Sequence, residues 1–206
     1  MNEAPIEYEV KFFPINLKDI QQRLQDAGAS IKTPERLMRR CVFATEANPG
    51  MTCTYVRIRD EGNKITMSAK QHAANGKIDS QKEYETTVGD FETTRHILLQ
   101  AGLKQTGYQE NKRETWQMPD GTLIELETWP QLPNYLEIEG KSEDAVKKTA
   151  ASLRLDWNKH IIQSNDHLYA KHWNMDRSIV LEKLSHLTFE STNHKTTEPD
   201  GPMRKK

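Results

Sequence analysis

Ile6-Glu7-Tyr8-Glu9-Val10-Lys11-Phe12 alternates without a break: even positions are apolar or aromatic, odd positions before Phe12 are charged. Side chains along a strand point to opposite faces in turn, so this stretch reads as a strand with one apolar face and one fully charged face. Working outward, Pro14 and Asn16 end the alternation. Leu17, Ile20, Leu24 and Ala27 then recur at helical spacing, with Gly28 placed as a C-cap glycine. The spacing predicts a helix over 17–27.

Three strand-like segments follow: Arg36 to Thr45, Thr54 to Arg59, and Ile65 to Lys70. Asn48-Pro49-Gly50 and Asp60-Glu61-Gly62-Asn63 supply turns between them, and 71–80 reads as a flexible loop. The chain then starts over. Glu83-Tyr84-Glu85 repeats Glu7-Tyr8-Glu9, and Leu99-Gln100-Ala101-Gly102 matches the end of the first helix. Gln109 to Gln117, Thr122 to Thr128 and Asn134 to Glu139 are again strand-like, with Pro119-Asp120-Gly121 turning between the first two. Two copies of a β-α-β-β-β unit follow, giving about eight mostly antiparallel strands, an α+β fold. Ser142, with Glu143 and Asp144 behind it, opens a helix to about 153. Helical stretches are expected at about 160–173 and around Ile179, Val180, Leu184 and Leu187, and disorder over 190–206.

Four strands carry a carboxylate dyad at i, i+2: Glu7/Glu9, Glu83/Glu85, Glu125/Glu127 and Glu137/Glu139. Bases share the same parity on other strands: Arg57/Arg59, Lys70 and Arg113, with Lys11 continuing the Glu7/Glu9 face. The opposite face is apolar: Tyr8 and Val10, Val56 and Ile58, Ile124 and Leu126, Leu136 and Ile138. An antiparallel sheet with one solvated face alternates in this way by itself, but repeated acidic dyads facing bases ask for more. About eight strands suffice to close a barrel, which makes the charged face a lumen. Carboxylates crowded there repel one another unless cations hold them. An all-oxygen cluster suits Mg²⁺ or Mn²⁺, and a polyphosphate is the anion that binds metal and arginine together.

Glu7-x-Glu9-x-Lys11 resembles the E-x-E-x-K motif of the CYTH superfamily, the triphosphate tunnel metalloenzymes. Arg57-x-Arg59, Lys70, Glu83-x-Glu85, Arg113, Glu125-x-Glu127 and Leu136-Glu137-Ile138-Glu139-Gly140 arrive in that family's order. The likeness, strongest to the adenylyl-cyclase-like branch, runs from about Ile6 to about Trp173. It implies a closed eight-stranded tunnel with helices outside, as one domain over 1–174 followed by an extension over 175–206. It further implies two Mg²⁺ or Mn²⁺ ions on Glu7, Glu9, Glu137 and Glu139, with Glu125 and Glu127 as additional acids on the metal side. Lys11, Arg57, Arg59, Lys70 and Arg113, with the Glu83/Glu85 dyad beside them, would grip the triphosphate, and Lys159 or Lys171 is placed as a plug-helix lysine. Two departures stand out: Asn111 occupies a position where many members carry a second base, and Glu127 one where the acid is often Asp. The implied activity is hydrolysis of a terminal phosphate, from tripolyphosphate or thiamine triphosphate, or cyclisation of ATP to cyclic AMP. A non-catalytic polyphosphate or nucleotide sensor using the same tunnel is the alternative.

Composition narrows the rest. With 29 Lys and Arg against 30 Asp and Glu, there is no basic excess for nucleic acid or a membrane surface. No apolar run approaches the about 20 residues of a spanning helix, and the first residues lack the pattern of a signal peptide. Cys41 and Cys53 are lone thiols without C-x-x-C spacing, so neither a disulfide scaffold nor a cysteine zinc site is expected. A cytoplasmic location is the resulting expectation. The histidines lack ligand spacing, and neither a P-loop nor a G-x-S-x-G elbow is present. Trp116, Trp129, Trp157 and Trp173 are read as packing residues. A homodimer through an outer surface is left open.

Overall fold

The computed structural model describes residues 6–45, 51–73, 77–78 and 81–190. Two β-α-β-β-β units follow one another. The first comprises β1 (Ile6–Phe12), α1 (Leu17–Asp26), β2 (Ser30–Ala44), β3 (Met51–Asp60) and β4 (Ile65–Ala73). The second comprises β5 (Gln81–Val88), α2 (Phe91–Gln100), β6 (Lys104–Gln117), β7 (Leu123–Trp129) and β8 (Leu132–Gly140). After them come α3 (Glu143–Ser152), a 3-10 turn (Trp157–Lys159), α4 (Asn165–Trp173), α5 (Arg177–Lys183) and the short β9 (His186–Leu187).

The strands hydrogen-bond in the order β2-β3-β4-β5-β1-β8-β7-β6, and β6 pairs back onto β2. The result is a closed eight-stranded antiparallel barrel. The two units interlock. β1 pairs with β8 of the second unit, and β5 pairs with β4 of the first. Where like meets like, the seams differ: β2 and β6 pair from Ser30↔Gln117 to Ala44↔Lys104, whereas among the described residues β1 and β5 share only Ile6↔Lys82 and Glu7↔Gln81. β9 adds to β6 in parallel.

Helix ends follow the capping residues. Asn16 accepts from Asp19 N at 3.1 Å to start α1, Asp90 from Thr93 N at 2.6 Å to start α2, and Ser142 from Ala145 N at 3.2 Å to start α3. At the β3–β4 hairpin, Gly62 adopts φ 85° and donates to Asp60 Oδ1 at 2.9 Å, a turn that needs glycine's freedom. The outer barrel face carries the core. Ile20 and Leu24 of α1 and Val146 and Ala150 of α3 cover Val10, Phe12, Ile124, Leu126, Leu136 and Ile138. Phe91 of α2 covers Cys41, Phe43 and Ile58. Around the ends of β7 and β8, Leu168 and Tyr169 of α4, Val180 of α5 and Leu184 cluster with Trp129, Leu132 and Tyr135.

Five boundaries differ from the sequence expectation. β2 begins at Ser30 and β6 at Lys104, because each supplies the other's backbone partners over this length; register shifts between Thr33 and Arg36 accommodate Pro34. β4 runs on to Ala73, into the expected 71–80 loop, and Ile78 is buried in the core. The expected helix over 160–173 starts only at Asn165, since Ile161 exchanges backbone hydrogen bonds of 2.7 and 2.9 Å with Lys11. The last helix stops at Lys183, and Leu187 belongs to β9. The Asn48-Pro49-Gly50 turn and the tail beyond Glu190 lie outside the described residues.

Candidate functional site

Closure turns the charged parity inward. Glu9, Lys11, Arg57, Arg59, Lys70, Glu83, Glu127 and Glu137 are all buried, on the face opposite the helix-covered core. Glu7, Glu125, Arg113 and Glu139 are partly buried on the same face, and Glu85 is exposed, with a carboxylate oxygen 3.8 Å from Lys64 Nζ. The thirteen residues expected to form the site therefore share one lumen, Glu85 at its margin.

Strand pairing decides who meets whom. Lys11 faces Glu137 and Glu9 faces Glu139 across β1–β8; Glu125 faces Glu137 across β7–β8; Arg113 faces Glu127 across β6–β7. Lys11 Nζ pairs with Glu9 and lies 3.2 Å from Glu137. Lys70 Nζ lies 2.9 Å from Glu7 and 2.8 Å from Glu83, and Glu83 also takes Arg57 at 3.0 Å. Arg113 binds Glu125 and Glu127 and lies 3.2 Å from Glu137. Asn111, at the position expected to lack a base, donates to Glu127 Oε2 at 2.9 Å; Trp129 Nε1 donates to the same oxygen at 2.7 Å. Glu127 is thus fully enclosed, at 0% exposure.

The electrostatics divide the lumen. Burial pushes Glu125 up to about 8, Arg113 opposing and Glu137 and Glu127 adding to it. Burial and a hydrogen bond with Glu83 push Glu7 up to about 8. Burial and the nearby Glu9 raise Glu139. Burial works the same way on Glu9, but Lys11 and Lys70 outweigh it and hold that carboxyl at about 2. On the basic side, burial, reinforced by Arg57, Arg113 and Arg40, pulls Arg59 down to about 9. The Nε atoms of Arg57 and Arg59 and the Oγ of Ser68 are buried without a hydrogen-bond partner among the described residues. Arg57 and Ser68 face each other across β3–β4. Such orphaned donors are costly unless a ligand takes them.

β3 and β4 lie across the barrel from β8 and β7. A wall of unsatisfied donors therefore faces a wall of acids. Glu125, Glu127 and Glu137 can bring one oxygen each within 4.8 Å of one another. That all-oxygen donor set, with Glu139 and Glu9 adjoining it, fits a hard divalent cation. Sequence reasoning missed several lumenal residues: Arg40, Gln109, Ser68 and Tyr135. Parity could have found Ser68, two before Lys70, Tyr135, two before Glu137, and Gln109, four before Arg113; Arg40 needed the register of β2 with β6. Lys159 and Lys171 do not reach the tunnel. Lys159 is 79% exposed in its side chain and pairs with Asp156, and Lys171 is exposed on α4.

The fold and site thus define a closed antiparallel barrel with an acidic and a basic wall lining its lumen. The CYTH domain model matches residues 5–169, and the chain belongs to the CYTH family. That family binds triphosphate substrates in its tunnel and depends on metal. No curated protein matches. Among solved structures, a conserved hypothetical protein from Pyrococcus furiosus is similar at TM-score 0.67 and 20% identity, over 79% of this chain and 99% of that one. A putative adenylate cyclase from Vibrio parahaemolyticus is similar at TM-score 0.67 and 11% identity, over 82% and 99%. A putative adenylyl cyclase from Hippeastrum, with a dominant triphosphatase activity, is similar at TM-score 0.51 and 12% identity, over 83% and 96%. These likenesses show the fold. Among the described residues no helix is long and apolar enough to cross a membrane.

Proposed function

We propose that this protein is a divalent-metal-dependent enzyme that hydrolyses the terminal phosphate of a triphosphate-bearing small molecule, of the tripolyphosphate or thiamine triphosphate type. The observation that supports it is the pairing of opposite walls: orphaned donors on Arg57, Arg59 and Ser68 across the lumen from the Glu125, Glu127 and Glu137 cluster. A polyphosphate supplies acceptors to the first and, through cations, charge balance to the second.

In this reading Arg57, Arg59 and Lys70 neutralise the phosphate chain, and Lys11 and Arg113 do so from among the acids. Glu7, Glu9, Glu137 and Glu139, with Glu125 and Glu127 beside them, would hold Mg²⁺ or Mn²⁺. When bound, such metal polarises phosphate oxygens and lowers the pKa of a water for attack. The carboxylates' tethering to fixed strands keeps donor and acceptor groups preorganised, so little reorganisation accompanies charge development. Burial of the whole set strengthens each of these interactions.

A second reading is cyclisation, in which the 3′-hydroxyl of ATP attacks the α-phosphorus and pyrophosphate leaves. It is favoured by the likeness to the Vibrio putative adenylate cyclase. The test is product analysis by ³¹P NMR after incubation with tripolyphosphate, thiamine triphosphate and ATP, each with Mg²⁺ and with Mn²⁺. Orthophosphate without cyclic AMP is the expected result. Cyclic AMP with pyrophosphate would make the protein a cyclase. Binding without turnover of any substrate would make it a sensor.

A further inference from the structure

Arg40 sits on the lumenal side of β2, next to Cys41, which with Phe43 faces the helix-covered core. Its register partners are Arg59 in β3 and Gln109 in β6. The guanidinium carbon lies 4.5 Å from the centroid of the Trp129 ring. Arg40 Nε donates to Gln109 Oε1 at 2.9 Å, and Gln109 Nε2 donates in turn to the carbonyl of Leu184 at 2.7 Å. Leu184 caps α5 and, with Val180 and Leu187, packs against Trp129, Tyr135 and Tyr169 in one buried cluster. The aromatic face and the amide that hold Arg40 are therefore both held by the segment that follows α4, beyond the matched CYTH region.

Lys11, Lys70, Arg57 and Arg113 each have a lumenal glutamate within ion-pair distance. Arg40 has no carboxylate within that distance among the described residues. Its holders are neutral, so they orient the guanidinium without cancelling its charge. A cation kept in place this way, beside Arg59 and where α4 and α5 pack around Trp129 and Tyr135, is matched by an anion. We propose that Arg40 is a further phosphate-binding residue of the tunnel, positioned through Gln109 and Trp129 by the C-terminal segment around α5. The proposal rests on reading the lumen as a triphosphate site.

The test is calorimetric titration of tripolyphosphate into the full-length chain, in EDTA and in Ca²⁺, for wild type, Arg40→Met, Arg40→Gln, Gln109→Met and the Arg40→Met/Gln109→Met double variant, with thermal melting alongside. Neutralising Arg40 is expected to weaken binding on the order of tenfold or more, in either variant. Gln109→Met is expected to weaken it less in the wild-type background and to add nothing when Arg40 is already gone, the signature of a positioning residue. Wild-type affinity in whichever Arg40 variant folds would overturn the role of Arg40 while leaving the triphosphate reading intact. Additive losses in the double variant would overturn the positioning role of Gln109. Absence of tripolyphosphate binding to wild type in both conditions would overturn the inference together with the reading beneath it.

Discussion

Lys11 of β1 and Glu137 of β8 are register partners, and the Lys11 ammonium lies 3.2 Å from the Glu137 carboxylate inside the barrel. The pair stands at the join between the two units, where the first strand of one is bonded to the last strand of the other. Glu137 also faces Glu125 and reaches Arg113 at 3.2 Å. One carboxylate thus touches both acids and bases. Replacing Glu137 by Gln is expected to lower turnover of tripolyphosphate at least about a hundredfold, measured by orthophosphate release at saturating Mg²⁺. Stability is expected to fall by only about 1–3 kcal/mol, since Glu9 remains for Lys11 and Glu125 and Glu127 for Arg113; urea unfolding checks it.

The basic wall behaves in the opposite sense. Burial and the neighbouring Arg57, Arg113 and Arg40 depress Arg59, whose Nε has no hydrogen-bond partner among the described residues. A buried, self-repelling cation costs stability until an anion binds. Arg59→Met is therefore expected to melt no lower than wild type in the free protein and to lose most of the rise in melting temperature that tripolyphosphate produces. Thermal melts with and without the anion measure both. A variant that melts well below wild type in the free form would contradict this view of Arg59.

Trp129 joins the tunnel to the cluster around α4 and α5. Its indole N–H donates to Glu127 Oε2 at 2.7 Å while its ring packs among Leu168, Tyr169 and Val180. Trp129→Phe keeps most of the packing and removes the donor from an enclosed carboxylate. A loss of about 1–3 kcal/mol is expected, read as a lowered urea midpoint. Asn111→Ala should show a loss of the same kind, because Asn111 bonds the same oxygen.

Asp166 supplies a pH dependence away from the tunnel. Burial works to raise its carboxyl, but Ser164 and Arg177 outweigh that and lower it below its usual 3.8. A carboxyl with a depressed folded pKa contributes stability that is fully present above the unfolded value and lost as pH falls through the folded one. Asp166→Asn should therefore lower the melting temperature near neutral pH, and the difference from wild type should shrink below about pH 4. Arg177 is half exposed in its side chain, so salt should reduce the difference too. A gap that widens on acidification would rule out this origin.

The alternation of Ile6 to Phe12 and the recurrence of Glu-x-Glu were legible because a strand's period of two writes its faces directly into the chain. The same period marked Arg57, Arg59, Lys70, Arg113 and the later dyads, and the doubled β-α-β-β-β pattern set the strand number. These are local or repeated signals, and they carried the fold class and the membership of the charged face.

Pairing between distant strands was not legible. The early starts of β2 at Ser30 and β6 at Lys104 exist because the two strands bond to each other across the closing seam, a partnership invisible within either segment. For the same reason Arg40 read as an ordinary polar residue until register placed it beside Gln109, with its guanidinium over Trp129. The extended backbone at Ile161 is likewise set by Lys11, far off in sequence. By itself the sequence determined which residues share a face, since that depends only on the backbone's local repeat. Which of those residues meet, which acids are enclosed and which donors stay unpaired was decided by barrel closure, because register and burial arise only when strands remote in the chain come into contact.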